Sequence, residues 1–180
     1  MMLLSTTYFG SVDWYSALLR STEPVQIDAN ETYVKQTTRN HCLIATANGI
    51  QKLTVPVTVP ERAADGSKPR TKDVRISDHG NWRHLHWNAL SSAYGMSPFF
   101  DYYADDILPF FEKRWDYLLD FNQAIKDKML ELLSVPSAHA TTERRTTPYY
   151  QTFQRRHGFL PGLSILDLLF NEGPEAVLWL

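Results

Sequence analysis

The dipeptide Asn48-Gly49 restricts this chain more than any other pair, because it is the strongest two-residue hairpin signal and β-prone residues flank it on both sides. A tight turn there folds residues 33–59 into a long hairpin and decides which side chains face each other. Placing Ala47 opposite Ile50 pairs Ile44 with Leu53, Cys42 with Val55 and Asn40 with Val57, which gathers the aliphatic side chains on one face. The other face takes Arg39, His41, Lys52, Thr54 and Thr58, with Leu43 and Pro56 among them. Lys35 joins it if the extended chain continues back that far, ~13 Å from Arg39 at strand rise. The hairpin therefore predicts a cationic outer face and a core face that buries Cys42.

The segments around it alternate between the two regular periods. Residues 3–9 form an apolar run that stops at Gly10 and predict a strand. Ser11 is placed to cap a helix carrying Trp14, Tyr15, Leu18 and Leu19 at helical spacing, with Asp13 in its first turn. Val25 and Ile27 alternate with polar residues, so the opening predicts a small βαβ unit. After a polar loop over residues 60–72 comes a short strand at Val74 and Ile76, then a helix over residues 81–93 with Trp82, Leu85, Ala89, Leu90 and Ala93 on its apolar side. Pro109 suits the first turn of a further helix. Asp120 and Gln123 suggest a capping box ahead of the stripe Phe121, Ile125, Met129, Leu132 and Leu133, which runs down to Val135-Pro136. Residues 137–148 read as a polar linker. Ser164 and Gly173-Pro174 bracket a last helix, and the apolar end Val177-Leu178-Trp179-Leu180 is expected to pack. The pattern predicts one α/β domain over residues 1–180, with a mixed sheet, the hairpin and helices packed in the C-terminal half.

Charge and cysteine content exclude several function classes. The net charge is −2 and the basic residues are scattered, so the chain lacks the stripe that nucleic acid demands. Cys42 is the only cysteine, which leaves no internal disulfide framework and no cysteine-rich zinc site. No signal peptide is visible and no apolar run spans a bilayer, so the expectation is a cytoplasmic protein. There is no Walker loop, no His-Glu-x-x-His and no Gly-x-Ser-x-Gly, and no cofactor is implied.

Two groups of residues carry candidate chemistry. Tyr33, Lys35, Arg39, Asn40 and His41 bring aromatic, cationic and amide groups close in sequence, a composition suited to holding a phosphate or carboxylate; the alternative is a solvated strand face. In Trp82-Arg83-His84-Leu85-His86-Trp87 the two histidines lie ~200° apart on a helix, so they do not share a metal. His84 or His86 is left as a proton carrier, against the plainer reading of His86 as a core residue beside Trp82. Gly10-Ser11, at a strand-to-helix junction, is a weaker anion candidate. Tyr94, Phe99, Phe100, Tyr102 and Tyr103 either floor a sugar site or pack under a helix.

The stretch Asn30-Glu31-Thr32-Tyr33-Val34-Lys35-Gln36-Thr37-Thr38-Arg39-Asn40-His41-Cys42, the return strand Leu53-Thr54-Val55-Pro56-Val57 and the run Ser97-Pro98-Phe99-Phe100-Asp101-Tyr102-Tyr103 together resemble the WbqC-like family. The resemblance extends through Asn81-Trp82, His86-Trp87-Asn88-Ala89 and the tail from Gly158-Phe159 to Leu168-Leu169-Phe170-Asn171. Many members open with Gln-Pro-x-Tyr-Phe-Pro-Trp, of which this chain keeps Tyr8-Phe9, and His41 stands where an arginine is often found. The resemblance implies a place in bacterial surface polysaccharide (O-antigen) biosynthesis. On the residues above it suggests a group transferase for an activated sugar or related intermediate: Lys35 and Arg39 hold the anion, Tyr33, Asn40, His41 and Tyr94 contact the substrate, and His84 or His86 moves a proton. A non-catalytic scaffold and a metal-assisted hydrolase are the other readings. The expected partner is a small anionic molecule, with room for a homo-oligomer.

Overall fold

A computed structural model describes residues 1–134 and 147–180. Its architecture is α/β, and among the described residues the strands are arranged as three two-stranded sheets in place of one mixed sheet. β1 (Met2–Leu4) and β2 (Val25–Ile27) pair in parallel around helix α1 (Val12–Arg20), the expected βαβ unit, and the Ser11 hydroxyl accepts from the Trp14 N–H as its cap. β1 ends at Leu4, well short of Phe9. Tyr8 and Phe9 plunge into the core, both fully buried, with Phe9 at φ +39°. Two large aromatic side chains gain more from enclosure than from extending an exposed edge.

The hairpin is shorter than the sequence suggests, with six residues in each arm: β3 (His41–Thr46) and β4 (Gly49–Thr54). Cys42 faces Leu53, Ile44 faces Gln51 and Thr46 faces Gly49, a slip of two places from the expected pairing. Asn48 is not in the left-handed region, whereas Gly49 is, at φ +107°. The glycine therefore serves as the bulge residue after the turn, not as half of a type I′ turn. The Thr46 hydroxyl holds this arrangement by donating to the Gly49 carbonyl at 2.8 Å. Because the slip is even, every side chain keeps its face, and Cys42, Ile44, Leu53 and Val55 are all buried as expected. Proline at position 56 cannot donate to a ladder. Beyond it β5 (Val57–Thr58) leaves the hairpin and pairs with β6 (Arg75–Ile76). Residues 33–40 form no strand, so Lys35 and Arg39 do not continue the outer face of the hairpin.

Helix α2 (Trp82–Tyr94) matches the sequence reading, while α3 (Phe100–Ile107) and α4 (Pro109–Glu112) follow one another across Leu108. Pro109 sits at the start of α4, where its missing N–H has no partner to lose. α5 (Leu118–Leu132) begins earlier than the Asp120–Gln123 box allows. The Leu118 N–H bonds to the Val74 carbonyl and Ile76 to Asp116, so pairing with the β6 segment fixes the helix start, and Gln123 turns to Asp127. Phe121, Ile125, Met129 and Leu133 are buried along its inner side. Val135-Pro136 and nearly all of the linker lie outside the described residues. After α6 (Gln154–His157), helix α7 (Ile165–Glu172) is capped by Ser164 and is enclosed along Ile165–Asn171, against α1, β3 and α3. Gly173 ends it at φ +58°, with the Phe99 ring so close that a Cβ would lie 2.6 Å from it. Trp179 and Leu180 are buried, so the apolar end packs. Among the described residues no helix is long and apolar enough to cross a membrane.

Candidate functional site

The residues singled out in the sequence fall into three separate places. Arg39 turns inward. Its Nε and Nη2 donate to the two Glu31 carboxylate oxygens at 2.8 and 2.5 Å, Nη2 also reaches Ser5 Oγ at 3.0 Å and Nη1 reaches Thr37 Oγ1 at 3.1 Å. The pair is largely enclosed, with side-chain exposures of 13% and 14%. Burial alone would raise the Glu31 carboxyl, but hydrogen bonds from Arg39, Ser5 and Thr71 outweigh it and hold the group below its usual range. This guanidinium braces the 31–39 loop against the chain's opening. Asn40 and Tyr33 are buried beside it: Asn40 Nδ2 donates to the Val55 carbonyl, and the Tyr33 hydroxyl and Asn40 Oδ1 have no protein partner. Lys35 is exposed on the loop. His41 lies on the outer face of β3, where partial burial and the nearby Lys52 lower its pKa.

His86 and Tyr94 belong to the interior. His86 Nδ1 lies 2.8 Å from the Tyr8 hydroxyl and the ring also bonds the Thr54 carbonyl, so both nitrogens are engaged. A neutral ring with Nε2–H toward Thr54 and Nδ1 accepting from Tyr8 satisfies all three groups. Burial pushes its pKa down to about 4. Trp82 packs on it edge to face at 5.1 Å. The Tyr94 hydroxyl donates to Asp167 Oδ1 at 2.8 Å and accepts from the Ala45 N–H, and Tyr149 donates to Asp167 Oδ2 at 2.8 Å. Burial raises the Asp167 pKa to about 6 against the opposing effect of these donors. Of the aromatic run, Phe100 and Tyr103 are core residues and Tyr102 is exposed. Burial pushes the Cys42 thiol up, in keeping with a core role. At Gly10-Ser11 the strand-to-helix junction is covered: the Val12 N–H bonds to Leu163 and the Gly10 carbonyl accepts from Ile165.

His84 lines a cleft at the start of α2. It has a volume of about 390 Å³ and is lined by Asp78, Asn81, Arg83, His84, Trp87, Leu108, Phe111, Glu112 and Arg114. The start of α2 forms one wall. Asn81 is in the left-handed region and no side chain caps this helix, so the positive end of the helix dipole is turned to the cleft without a capping carboxylate or hydroxyl. The Arg83 guanidinium lies over the Trp82 ring at 4.6 Å, with Nη1 donating to Asp78 Oδ1 at 2.6 Å. Its Nε and Nη2 are buried with no hydrogen-bond acceptor. Leaving these two enclosed donors unpaired is costly, and what fixes the side chain is its ion pair with Asp78 and its contact with the Trp82 ring. Arg114, highly exposed, reaches the other Asp78 oxygen at 3.3 Å. The Asn88 amide lies 2.9 Å from His84 Nε2, and when it donates there the remaining ring proton is on Nδ1.

Sequence reading saw the His84 and His86 spacing but not the arginines. Arg83 was in view within the same hexapeptide, and its neighbour Trp82 offers the stacking surface that holds a guanidinium still. Nothing local connects it to Arg114. Among the described residues no three His, Cys, Asp or Glu side chains come together as a metal-ligand set.

The family model described as WbqC-like protein family matches residues 6–146 and 137–178. The chain is also 28% identical over 193 residues to "Uncharacterized protein Rv1507c" of Mycobacterium tuberculosis (strain ATCC 25618 / H37Rv), covering 80% of this chain and 81% of that protein. No solved structure matches the chain.

Proposed function

The chain belongs to the WbqC-like protein family, and from that premise and the cleft at the start of α2 we propose that it is a group transferase acting on an anionic, activated sugar or related intermediate of bacterial surface polysaccharide assembly, in the cytoplasm. The observation that carries the reading is the wall of a substrate-sized cleft in which Arg83, held over the Trp82 ring, and the exposed Arg114 share Asp78 beside the uncapped start of α2. Arg83 and Arg114 hold the phosphate or carboxylate of the activated group, and Trp87 offers an aromatic wall for its body. His84 meets the substrate in preference to His86, because both nitrogens of His86 are already engaged. In the transfer, the acceptor oxygen or nitrogen bonds to the carbon of the activated group, the anionic leaving group departs with the bonding electrons, and the acceptor's proton passes to solvent. A hydrogen bond from His84 Nδ1 supports the charge that develops on the leaving oxygen. Asp78, bridging the two arginines, holds them in register when no anion is present. Arg39, Tyr33, Asn40 and Tyr94 have structural roles in this proposal, and Lys35 stays on the exposed loop.

Calorimetric titration with a panel of nucleotide sugars, sugar phosphates and acyl donors tests it. The native protein is expected to bind at least one of them. Arg83→Ala should weaken that binding by roughly tenfold or more, the scale of one charge-assisted hydrogen bond, while His84→Ala should keep binding and lose turnover. No binding across the panel, or binding unchanged in Arg83→Ala, overturns the proposal.

A further inference from the structure

Of the arginine and carboxylate side chains that line the α2 cleft, Glu112 is the one that the proposed transfer does not use. It is the last residue of α4 and is exposed, one place after Phe111, whose ring lies 5.9 Å from that of Trp87. Glu112 thus reaches the cleft from the same turn of chain that supplies part of its aromatic wall. Both arginines of the cleft turn elsewhere: each gives its Nη1 to Asp78, at 2.6 Å for Arg83 and 3.3 Å for Arg114. Two cations share one carboxylate, and neither of them comes within ion-pair distance of the other carboxylate.

The charges of these four side chains balance, two positive against two negative, and the balance limits what the cleft can hold. An anion drawn to the arginines answers the excess charge around Asp78 and leaves Glu112 as a repulsive group nearby. Substrates that meet a partner at every charged wall bring a cation as well as an anion. A divalent metal ion is a poor match for that cation. Asp78 is already engaged by two guanidinium groups, and among the described residues the cleft has no three-ligand set, so the ion would find one carboxylate. An ammonium suits Glu112 better, because one carboxylate and surrounding water satisfy its three N–H donors.

We propose that the acceptor in the transfer is an amine, an amino sugar whose ammonium is held by Glu112 while the activated group keeps its anion on Arg83 and Arg114. The inference rests on the transferase reading above and selects nitrogen from the two acceptor atoms that it allows. The bound ammonium gives one proton to solvent, which frees the lone pair. The nitrogen then bonds to the carbon of the activated group and loses a second proton to solvent, and the leaving group departs with the bonding electrons.

Amide NMR of the isotopically labelled full chain tests this with glucosamine, galactosamine and 4-amino-4-deoxyglucose, each beside the parent sugar that has a hydroxyl in place of the amine. Below the amine's own pKa, at least one amino sugar is expected to give saturable shifts around Phe111–Lys113. It should bind roughly tenfold tighter than its parent, the scale of one charge-assisted hydrogen bond. Raising the pH until the amine is neutral should erase that preference in the native protein. Glu112→Gln should bring the amino sugar to the level of its parent and leave the parent unchanged, and Glu112→Asp, which keeps the charge, should recover part of the difference. The proposal is overturned if no amine outbinds its parent, if the preference survives in Glu112→Gln or with the neutral amine, or if the shifts centre elsewhere. Donor binding and its weakening in Arg83→Ala judge the transferase reading separately, and Glu112→Gln should bind the donor as the native protein does. A chain that binds a donor without preferring amines loses this inference alone. One that prefers amines through Glu112 but binds no donor loses the transferase reading and keeps the amine site.

Discussion

Lowering the pH should unfold this protein partly through one residue, His86. Its pKa in the folded chain is pushed down to about 4, because the ring is buried among Tyr8, Trp82 and Phe111 and holds its neutral form between Tyr8 and Thr54. In the unfolded chain it returns to about 6.5. Above pH 6.5 both states carry a neutral ring and the buried geometry is retained in full. As the pH falls toward 4 the unfolded state takes up a proton that the folded state refuses, and stability drops by up to about 1.4 kcal/mol per pH unit. Integrated from pH 7.5 to 4.5, the loss assignable to this residue is about 2.5 kcal/mol. Carboxylates titrate over the lower part of the same range, so the measurement must be differential. Urea denaturation of the native protein and of His86→Asn, at half-unit steps across that range, gives two curves whose separation isolates the histidine. At neutral pH the variant should be the weaker by about 1–3 kcal/mol, since the buried Tyr8 hydroxyl loses its acceptor geometry. The gap should close by about 2.5 kcal/mol as the pH falls to 4.5. A separation that does not change with pH, or a His86 ring proton that titrates near the free value in NMR, would refute the reasoning.

Three further outcomes follow from the same structure. Arg39→Ala should cost about 3–5 kcal/mol in urea denaturation, because it leaves the enclosed Glu31 carboxylate without its bidentate partner; Arg39→Lys should recover only part of this, since one ammonium cannot match two carboxylate oxygens. For Asp167, whose folded pKa is raised to about 6 by burial, the sign is opposite to that of His86: its stabilising contribution is complete at low pH and is lost as the pH rises through about 6. Thermal denaturation should therefore show Asp167→Asn gaining on the native protein by about 2 kcal/mol between pH 4 and 7, and a pH-independent difference would count against the buried acid. Gly173→Ala should lower the melting temperature, at a cost of about 1–3 kcal/mol, because the residue must hold φ +58° and its new methyl would meet the Phe99 ring.

Much of the fold was legible locally. The Ser11 and Ser164 caps, the helical stripes of α1 and α5 and the burial of Cys42 all follow from spacing along a few turns of chain, whereas in α2 Leu85, expected on the apolar side, is exposed and His86 takes the inner face. The hairpin shows how far such reading goes. Asn48-Gly49 placed the turn, yet the register rests on Gly49 acting as a bulge residue, held by Thr46 and by His157 arriving from 110 residues away at the Ala47 carbonyl. The alternation survived because the slip was even. Arg39 illustrates the opposite case. A cation in a run of cations reads as free until the chain folds Glu31 and Ser5 onto it.

By itself the sequence determined which residues are apolar, where Ser11 and Ser164 start helices, and which parity each arm of the hairpin keeps, since these depend on backbone geometry within a few residues. Tertiary structure alone decided which charges remain available. Arg39 and Arg83 are alike as residues, but Glu31 saturates the first, whereas the second is left beside Trp82 with two donors unpaired. Partner choice of this kind depends on segments far apart in sequence meeting in space, and no local pattern encodes that meeting.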